Sequence, residues 1–190
     1  MFNSTDHLTS SSTLPLVRLR PAVLRDIPGL NRIVEQSLRE LGRGYYTPQQ
    51  VESALKYAVQ VDPQMVRDGT LYLIECGGKL VACGGWSKRG ALYRGAENGL
   101  LNPATQPARA RTFYVHPAWT RRGLGRWLME ETLAAARAGG FRQIELLATR
   151  MGEPVYARFG FRELEAVTIT QPDGEIFPVK RMIKDLVGWQ

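Results

Sequence analysis

Phe113-Tyr114-Val115-His116-Pro117-Ala118-Trp119-Thr120-Arg121-Arg122-Gly123-Leu124-Gly125-Arg126 is the stretch whose reading decides the fold. Its first half closes a strand predicted over Arg109 to His116. Its second half opens a helix predicted over Thr120 to Gly139, with Leu124, Leu128, Leu133 and Ala136 among its apolar positions and Gly139-Gly140 as its end. The first N–H groups of a helix have no partner inside it, so they point outward as donors. Together with the helix dipole they make a site for phosphate oxygens. Gly123 and Gly125 remove side chains where a bulky anion would clash, and Arg121, Arg122 and Arg126 add positive charge beside it. The third glycine and the acidic residue of a dinucleotide fingerprint are missing, and so is the Gly-Lys-Ser/Thr ending of a Walker loop. The competing role for the segment is an ordinary Arg-rich, solvated helix start.

Outward from this junction, Val17 to Arg20 reads as an opening strand, and Asp26 as the N-cap of a helix starting at Ile27-Pro28. Leu30, Ile33, Val34, Leu38 and Leu41 form one apolar stripe, stopped by Gly42 and Gly44. Thr47 caps a second helix carrying Val51, Leu55 and Ala58. Thr70 to Cys76 and Lys79 to Ser87 read as a hairpin around Gly77-Gly78, and Gly84-Gly85 marks a bulge or a close approach of another group. Lys88 to Pro107 is a long irregular segment of the kind that often serves function. Arg142 to Ala148 is a strand, Glu153 to Phe159 a short helix, and Phe161 to Thr170 and Glu175 to Leu186 are strands joined by Pro172-Asp173-Gly174. Pro178 argues for a bend or an edge in the last of these. This order describes an α/β (α+β three-layer) domain, a mixed sheet with helices on its faces.

A chain of 190 residues with 44% apolar content suits one compact domain, predicted over residues 15–190 behind a flexible polar tail over 1–14. Cys76 and Cys83 lie in strand-like runs without metal-ligand spacing, so they read as buried core thiols; no metal is expected, and a reducing cytoplasmic location follows. No run approaches the ~20 apolar residues of a membrane span. Lys plus Arg number 25 against 18 Asp plus Glu, a net +7, which asks for an anionic partner: nucleic acid, an acidic membrane or a phosphorylated small molecule.

A second motif, Pro154-Val155-Tyr156-Ala157-Arg158-Phe159-Gly160-Phe161, carries a tyrosine on a short helix that breaks at Gly160 into a strand. With both motifs in order, the chain resembles the Gcn5-related N-acetyltransferase (GNAT) superfamily. That family carries an Arg/Gln-x-x-Gly-x-Gly/Ala turn after its fourth strand and a Tyr-x-x-x-Gly-Phe element about thirty residues on. The likeness runs from Val17 to Leu186, with one departure: Thr120 stands where the family usually has Arg or Gln.

The resemblance implies a mixed, mostly antiparallel seven-stranded sheet with helices on both faces, its fourth and fifth strands parallel and splayed around the pantetheine arm of acetyl-CoA. It implies that Phe113, Tyr114 and Val115 supply backbone to that arm, the Val115 N–H facing the thioester oxyanion. Arg121, Arg122, Gly123, Leu124, Gly125 and Arg126 would hold the diphosphate, and Thr149 would replace an Asn that often bonds the cofactor. Tyr156 would protonate the departing thiolate, its competing role being that of a core aromatic. Tyr45, Tyr46, Trp86 and the 88–107 loop are the implied acceptor pocket; packing at a helix end competes for the two tyrosines, and a core position for Trp86. The strand from Arg109 to His116 holds no carboxylate base; His116 reads as a structural histidine, and Glu75 and Glu145 would act only through water.

The expected activity is acetyl transfer from acetyl-CoA to a primary amine of a small molecule. Acetylation of a protein lysine or N-terminus is the alternative within enzymes. A basic nucleic-acid-binding domain or a non-catalytic acetyl-CoA sensor are the alternatives outside turnover, but no nucleic-acid signature is present and the arginines are scattered. No nucleic-acid or membrane partner is therefore expected, and a homodimer would be common for the superfamily.

Overall fold

The computed structural model describes residues 16–93 and 99–186. The tail over 1–14 lies outside the described residues, as do residues 94–98 of the long irregular segment. Seven strands form one sheet in the order β1-β2-β3-β4-β5-β7-β6. They are β1 (Val17–Pro21), β2 (Leu71–Cys76), β3 (Lys79–Ser87), β4 (Ala108–Val115), β5 (Gln143–Thr149), β6 (Arg162–Thr170) and β7 (Ile176–Asp185). Every pairing is antiparallel except that of β4 with β5. The expected mixed sheet is what forms.

Helices α1 (Ile27–Leu41), α2 (Pro48–Tyr57) and α3 (Pro63–Arg67) cover one face, while α4 (Leu124–Ala138) and α5 (Glu153–Arg158) cover the other. On the first face Leu30, Ile33 and Val34 of α1 and Met65 of α3 bury against Leu71, Leu73 and Cys83. On the second, Met129 and Ala136 of α4 bury against Ala108, Ala110, Ile144 and Leu146. Both cysteines are buried thiols outside any disulfide. Among the described residues, no helix is long and apolar enough to cross a membrane.

Local chemistry explains most boundaries. Thr47 accepts the Gln50 N–H while the Gln50 side chain accepts the Thr47 N–H, a reciprocal cap that starts α2. Asp26 precedes α1 but makes no cap bond to it: a 3-10 turn over Leu24–Asp26 intervenes, and the carboxylate accepts from Val23 N–H and from Arg20. Helix α3 is absent from the sequence reading. Asp62 caps it, accepting the Gln64 N–H at 2.8 Å, but five residues are too few for an apolar period to register. Helix α4 begins at Leu124, not Thr120, because Arg121 and Gly123 take positive φ of 58° and 80°. Pro178 sits inside the sheet but pairs on one side only, with Thr168, because the ladder to β5 begins at Val179.

Gly84-Gly85 proves to be both a bulge and a point of close approach. The register between β3 and β4 shifts there, so that Thr112 and Phe113 together oppose Gly84. A Cβ on Gly85 would lie 2.2 Å from Thr70 O, and one on Gly84 would meet the Phe113 ring at 2.6 Å. Thr112 carries the cost, with φ 65°, a conformation rare for a β-branched residue. The bulge inverts the alternation of β4. Ala108 and Ala110 face α4, whereas Arg111 and Thr112 both face α3, through Asp62 and Met65 respectively. Beyond it, Phe113 and Val115 face α4 and Tyr114 faces α1 and α3.

Candidate active site

Strands β4 and β5 pair only at Ala108 with Ile144 and at Arg109 with Glu145, and then part. The opening is a cavity of about 100 Å³. Its walls come from both sheet faces: Phe113, Leu146 and Tyr156 from the α4 side, and Arg111, Tyr114 and Phe177 from the α1 side. Thr149, at the end of β5, also lines it. The His116 N–H is bonded to Val81 O at 2.9 Å, so the ladder's alternation turns the neighbouring Val115 N–H away from β3 and toward the gap. A main-chain donor thus faces the space that β5 has vacated.

At the mouth of the gap stands the start of α4. Gly123, its N-cap, has an αL backbone, and no side chain caps the helix. The turn is open: Arg121, Arg122, Gly123 and Arg126 are exposed. A Cβ built on Gly123 would touch nothing within 4 Å, and one on Gly125 would meet only Val115 Cγ2 at 3.8 Å. The protein itself therefore has no packing reason for a glycine at 125. Leu124 is the anchor, buried with Leu128 against Ile74, Val81 and Ala82. The arginines are not equivalent. Arg122 lies over the Trp119 ring at 4.7 Å and donates to Ala118 O, whereas Arg126 pairs with Glu130 at 2.7 Å on the exposed helix face. Thr120 turns inward and donates to Pro117 O.

Tyr156 rides on α5 and packs edge-on against Phe113 and Phe161, with ring centroids 6.4 and 6.0 Å away. Gly152 lets it sit there, because a Cβ at that position would lie 2.9 Å from Tyr156 Cε2 and 3.2 Å from Thr149 Oγ1. Burial alone raises the Tyr156 phenol above its ordinary range. Tyr114 is raised as well, chiefly by burial. Both therefore hold their protons throughout the physiological range. The Cys83 thiol, raised to about 12 by burial, is no nucleophile either.

The base candidates lie elsewhere. Glu145 is fully buried between Arg109 and Arg181, Glu75 pairs with Arg20 on the β1 side of the sheet, and His116 Nδ1 accepts the Ala118 N–H. Among the described residues lining the cavity there is no Asp, Glu or His.

The aromatic residues named for the acceptor pocket separate. Trp86 is 7% exposed in the α4-side core, edge-on to Phe141, and does not line the cavity. Tyr46 is buried, stacked on Phe177 at 4.3 Å, donates to Pro178 O and accepts the Arg150 N–H; it stands behind the cavity wall. Tyr45 is exposed on the turn before α2. The structure puts Leu92, Tyr93, Arg111, Met151, Ile169 and Phe177 around the cavity instead. Leu92 and Tyr93 belong to the long segment singled out in the sequence. The others come together only through tertiary contacts between distant strands.

Residues 67–163 match the family model described as an acetyltransferase (GNAT) domain. Among curated proteins none matches the sequence. Several solved structures share the fold. A GCN5-related N-acetyltransferase from Rhodopseudomonas palustris superposes with a TM-score of 0.68 at 20% identity, covering 90% of this chain and 97% of that one. PaiA N-acetyltransferase from Thermoplasma acidophilum, solved in complex with coenzyme A, gives 0.62 at 13% identity over 90% and 99%. YncA from Salmonella typhimurium, solved with its cofactor acetyl-CoA, gives 0.61 at 14% identity over 91% and 95%. The family match, the parted parallel strands and the uncapped glycine turn agree: the chain belongs to the GNAT family and is an N-acetyltransferase.

Proposed function

We propose that the enzyme transfers the acetyl group of acetyl-CoA to a primary amine of a small molecule by direct attack. The observation that carries this reading is the gap beyond Arg109, into which the Val115 N–H is turned and beside which Tyr156 stands. The diphosphate rests on the uncapped amides of residues 122–126, beside Arg121, Arg122 and Arg126. The pantetheine arm then enters along Phe113 to Val115 from the α4 side and passes Thr149. The neutral amine attacks the thioester carbon from the opposite face, and the oxyanion accepts the Val115 N–H. As the C–S bond breaks, Tyr156 gives its proton to the thiolate, and the amine's surplus proton passes through water and restores the phenol, because no described residue lining the cavity is a carboxylate or imidazole. A phenol of raised pKa suits the acid role because it is always protonated before transfer. The buried thiols Cys76 and Cys83 suit a reducing cytoplasm, where we place the enzyme.

Acetyl-CoA should raise the melting temperature, and a panel of amines assayed for free-thiol release should identify acceptors. Tyr156→Phe should lower kcat by about 100-fold or more, the usual reach of a positioned acid, while leaving acetyl-CoA affinity within about twofold of the parent. Unchanged turnover in that variant removes Tyr156 from the acid role.

A further inference from the structure

Arg111 is the one cation among the described residues lining the cavity, and its side chain is only 6% exposed. A guanidinium carries five N–H donors. Among the described residues Arg111 spends one bond, from Nη1 to Asp62 Oδ2 at 3.0 Å. Asp62 is itself divided, since its other oxygen caps α3 through the Gln64 N–H. The neighbouring Arg109 shows what a satisfied guanidinium looks like in this protein: it donates to Gly90 O and Pro107 O and pairs with Glu145. Burial disfavours the charged form of both arginines, but Arg111 has the single carboxylate oxygen of Asp62 against it where Arg109 has three acceptors. A buried fork of donors facing a cavity calls for a planar, two-oxygen anion.

That anion is not the diphosphate of the cofactor. Arg111 faces α3, whereas the glycine turn belongs to the α4 face, and the span from Gly85 to Ala82 on β3, about 10 Å at the usual rise, separates Arg111 from Val115. The acyl arm carries no anionic group at that depth. What remains is the acceptor, which approaches from the same face as Arg111.

We propose that Arg111 pairs with a carboxylate of the acceptor, so that the substrates are amino acids or amino-acid-like molecules bearing a primary amine and a carboxylate. This rests on the acetyl-transfer reading above and specifies its substrate class. Tyr93, Ile169 and Phe177 supply the apolar wall for the remainder of such a molecule. The pairing also assists the chemistry: it offsets the carboxylate charge that would otherwise favour a neighbouring ammonium, which matters where no described residue lining the cavity is a base.

The test compares matched acceptors at saturating acetyl-CoA by thiol release: phenylalanine against 2-phenylethylamine, and 5-aminopentanoate against pentylamine. The expected result is that the carboxylate-bearing member of at least one pair is preferred at least tenfold in kcat/KM. In Arg111→Met that preference should shrink at least tenfold, mainly through KM, with Arg111→Lys between the two and acetyl-CoA affinity unchanged in both. Overturning results are a wild-type preference below tenfold in both pairs, or a preference that persists in Arg111→Met. The wild-type comparison decides the matter even where the variants fold poorly. Acetyl-CoA binding without turnover of either carboxylate-bearing acceptor overturns this proposal alone. Failure of acetyl-CoA to shift the melting temperature removes the acetyl-transfer reading and this proposal with it.

Discussion

Replacing Gly125 by alanine should make the protein more stable and worse at binding its cofactor. Gly125 is the second residue of α4 and has no left-handed backbone; the only atom an added methyl would meet is Val115 Cγ2, at an ordinary contact distance of 3.8 Å. Alanine exceeds glycine in helix propensity by about 1 kcal/mol in a helix interior, and rather less in a first turn. For a chain of this size a gain of up to about 1 kcal/mol is a rise of roughly 2–4 °C in melting temperature. On the proposed binding mode, the same methyl stands where the diphosphate comes up to the main-chain amides. Pushing the anion away weakens hydrogen bonds to a charged group, each worth about 1.5–3 kcal/mol, so acetyl-CoA affinity should fall by at least tenfold. Gly123→Ala is the control. Its φ of 80° makes any side chain costly by about 1–2 kcal/mol, so that variant should lose both stability and affinity. Thermal denaturation without ligand, paired with calorimetric titration of coenzyme A, reads both quantities. If Gly125→Ala binds coenzyme A as tightly as the parent, or melts below it, the reasoning about this turn is wrong.

Tyr46→Phe keeps the stack on Phe177 but strands Pro178 O and the Arg150 N–H, so urea denaturation should show a loss of about 1–3 kcal/mol. Asp26 is held below the ordinary carboxylate range by hydrogen bonds from Arg20, and secondarily from the Val23 N–H, against an opposing effect of burial. A depressed carboxylate contributes stability above its unfolded pKa of about 3.9, and that contribution disappears as pH falls through the lower folded value. Denaturation midpoints measured from pH 6 to pH 2 should therefore decline below about pH 4, and Asp26→Asn should flatten that part of the curve. With Tyr156→Phe, any loss should be in kcat rather than in coenzyme A binding, as single-turnover kinetics would show.

The elements that were legible in the sequence are those whose signals are local. Thr47 and Gln50 announce a cap within four residues, Gly77-Gly78 turns a hairpin, and the stripe from Leu30 to Leu38 buries as spaced. The glycine turn was legible for the same reason, although its helix starts four residues later than apolar spacing suggests, because Arg121 and Gly123 adopt backbones that spacing does not encode. Helix α3 was lost for want of length. The cavity wall was lost for a different reason: Arg111 meets Asp62 across 49 residues, and Met151, Ile169 and Phe177 converge only when β5, β6 and β7 are in register. Trp86 illustrates the converse. The resemblance puts it in the acceptor pocket with a core position competing, and the core position is what forms: its partner is Gly139, whose missing side chain leaves room for the indole.

The extra residue in β4 has a consequence for how this surface can change. In a regular strand Arg111 and Tyr114, three positions apart, would look in opposite directions. Because Thr112 is a supernumerary step, the strand changes phase midway, and its two halves present side chains as though they were separate strands. On the proposed function, the half that precedes the step can vary to suit the incoming amine, while the half that follows keeps its orientation toward the acyl carrier. Deleting a single residue here would reverse one half against the other, so length is the property of this strand least free to drift.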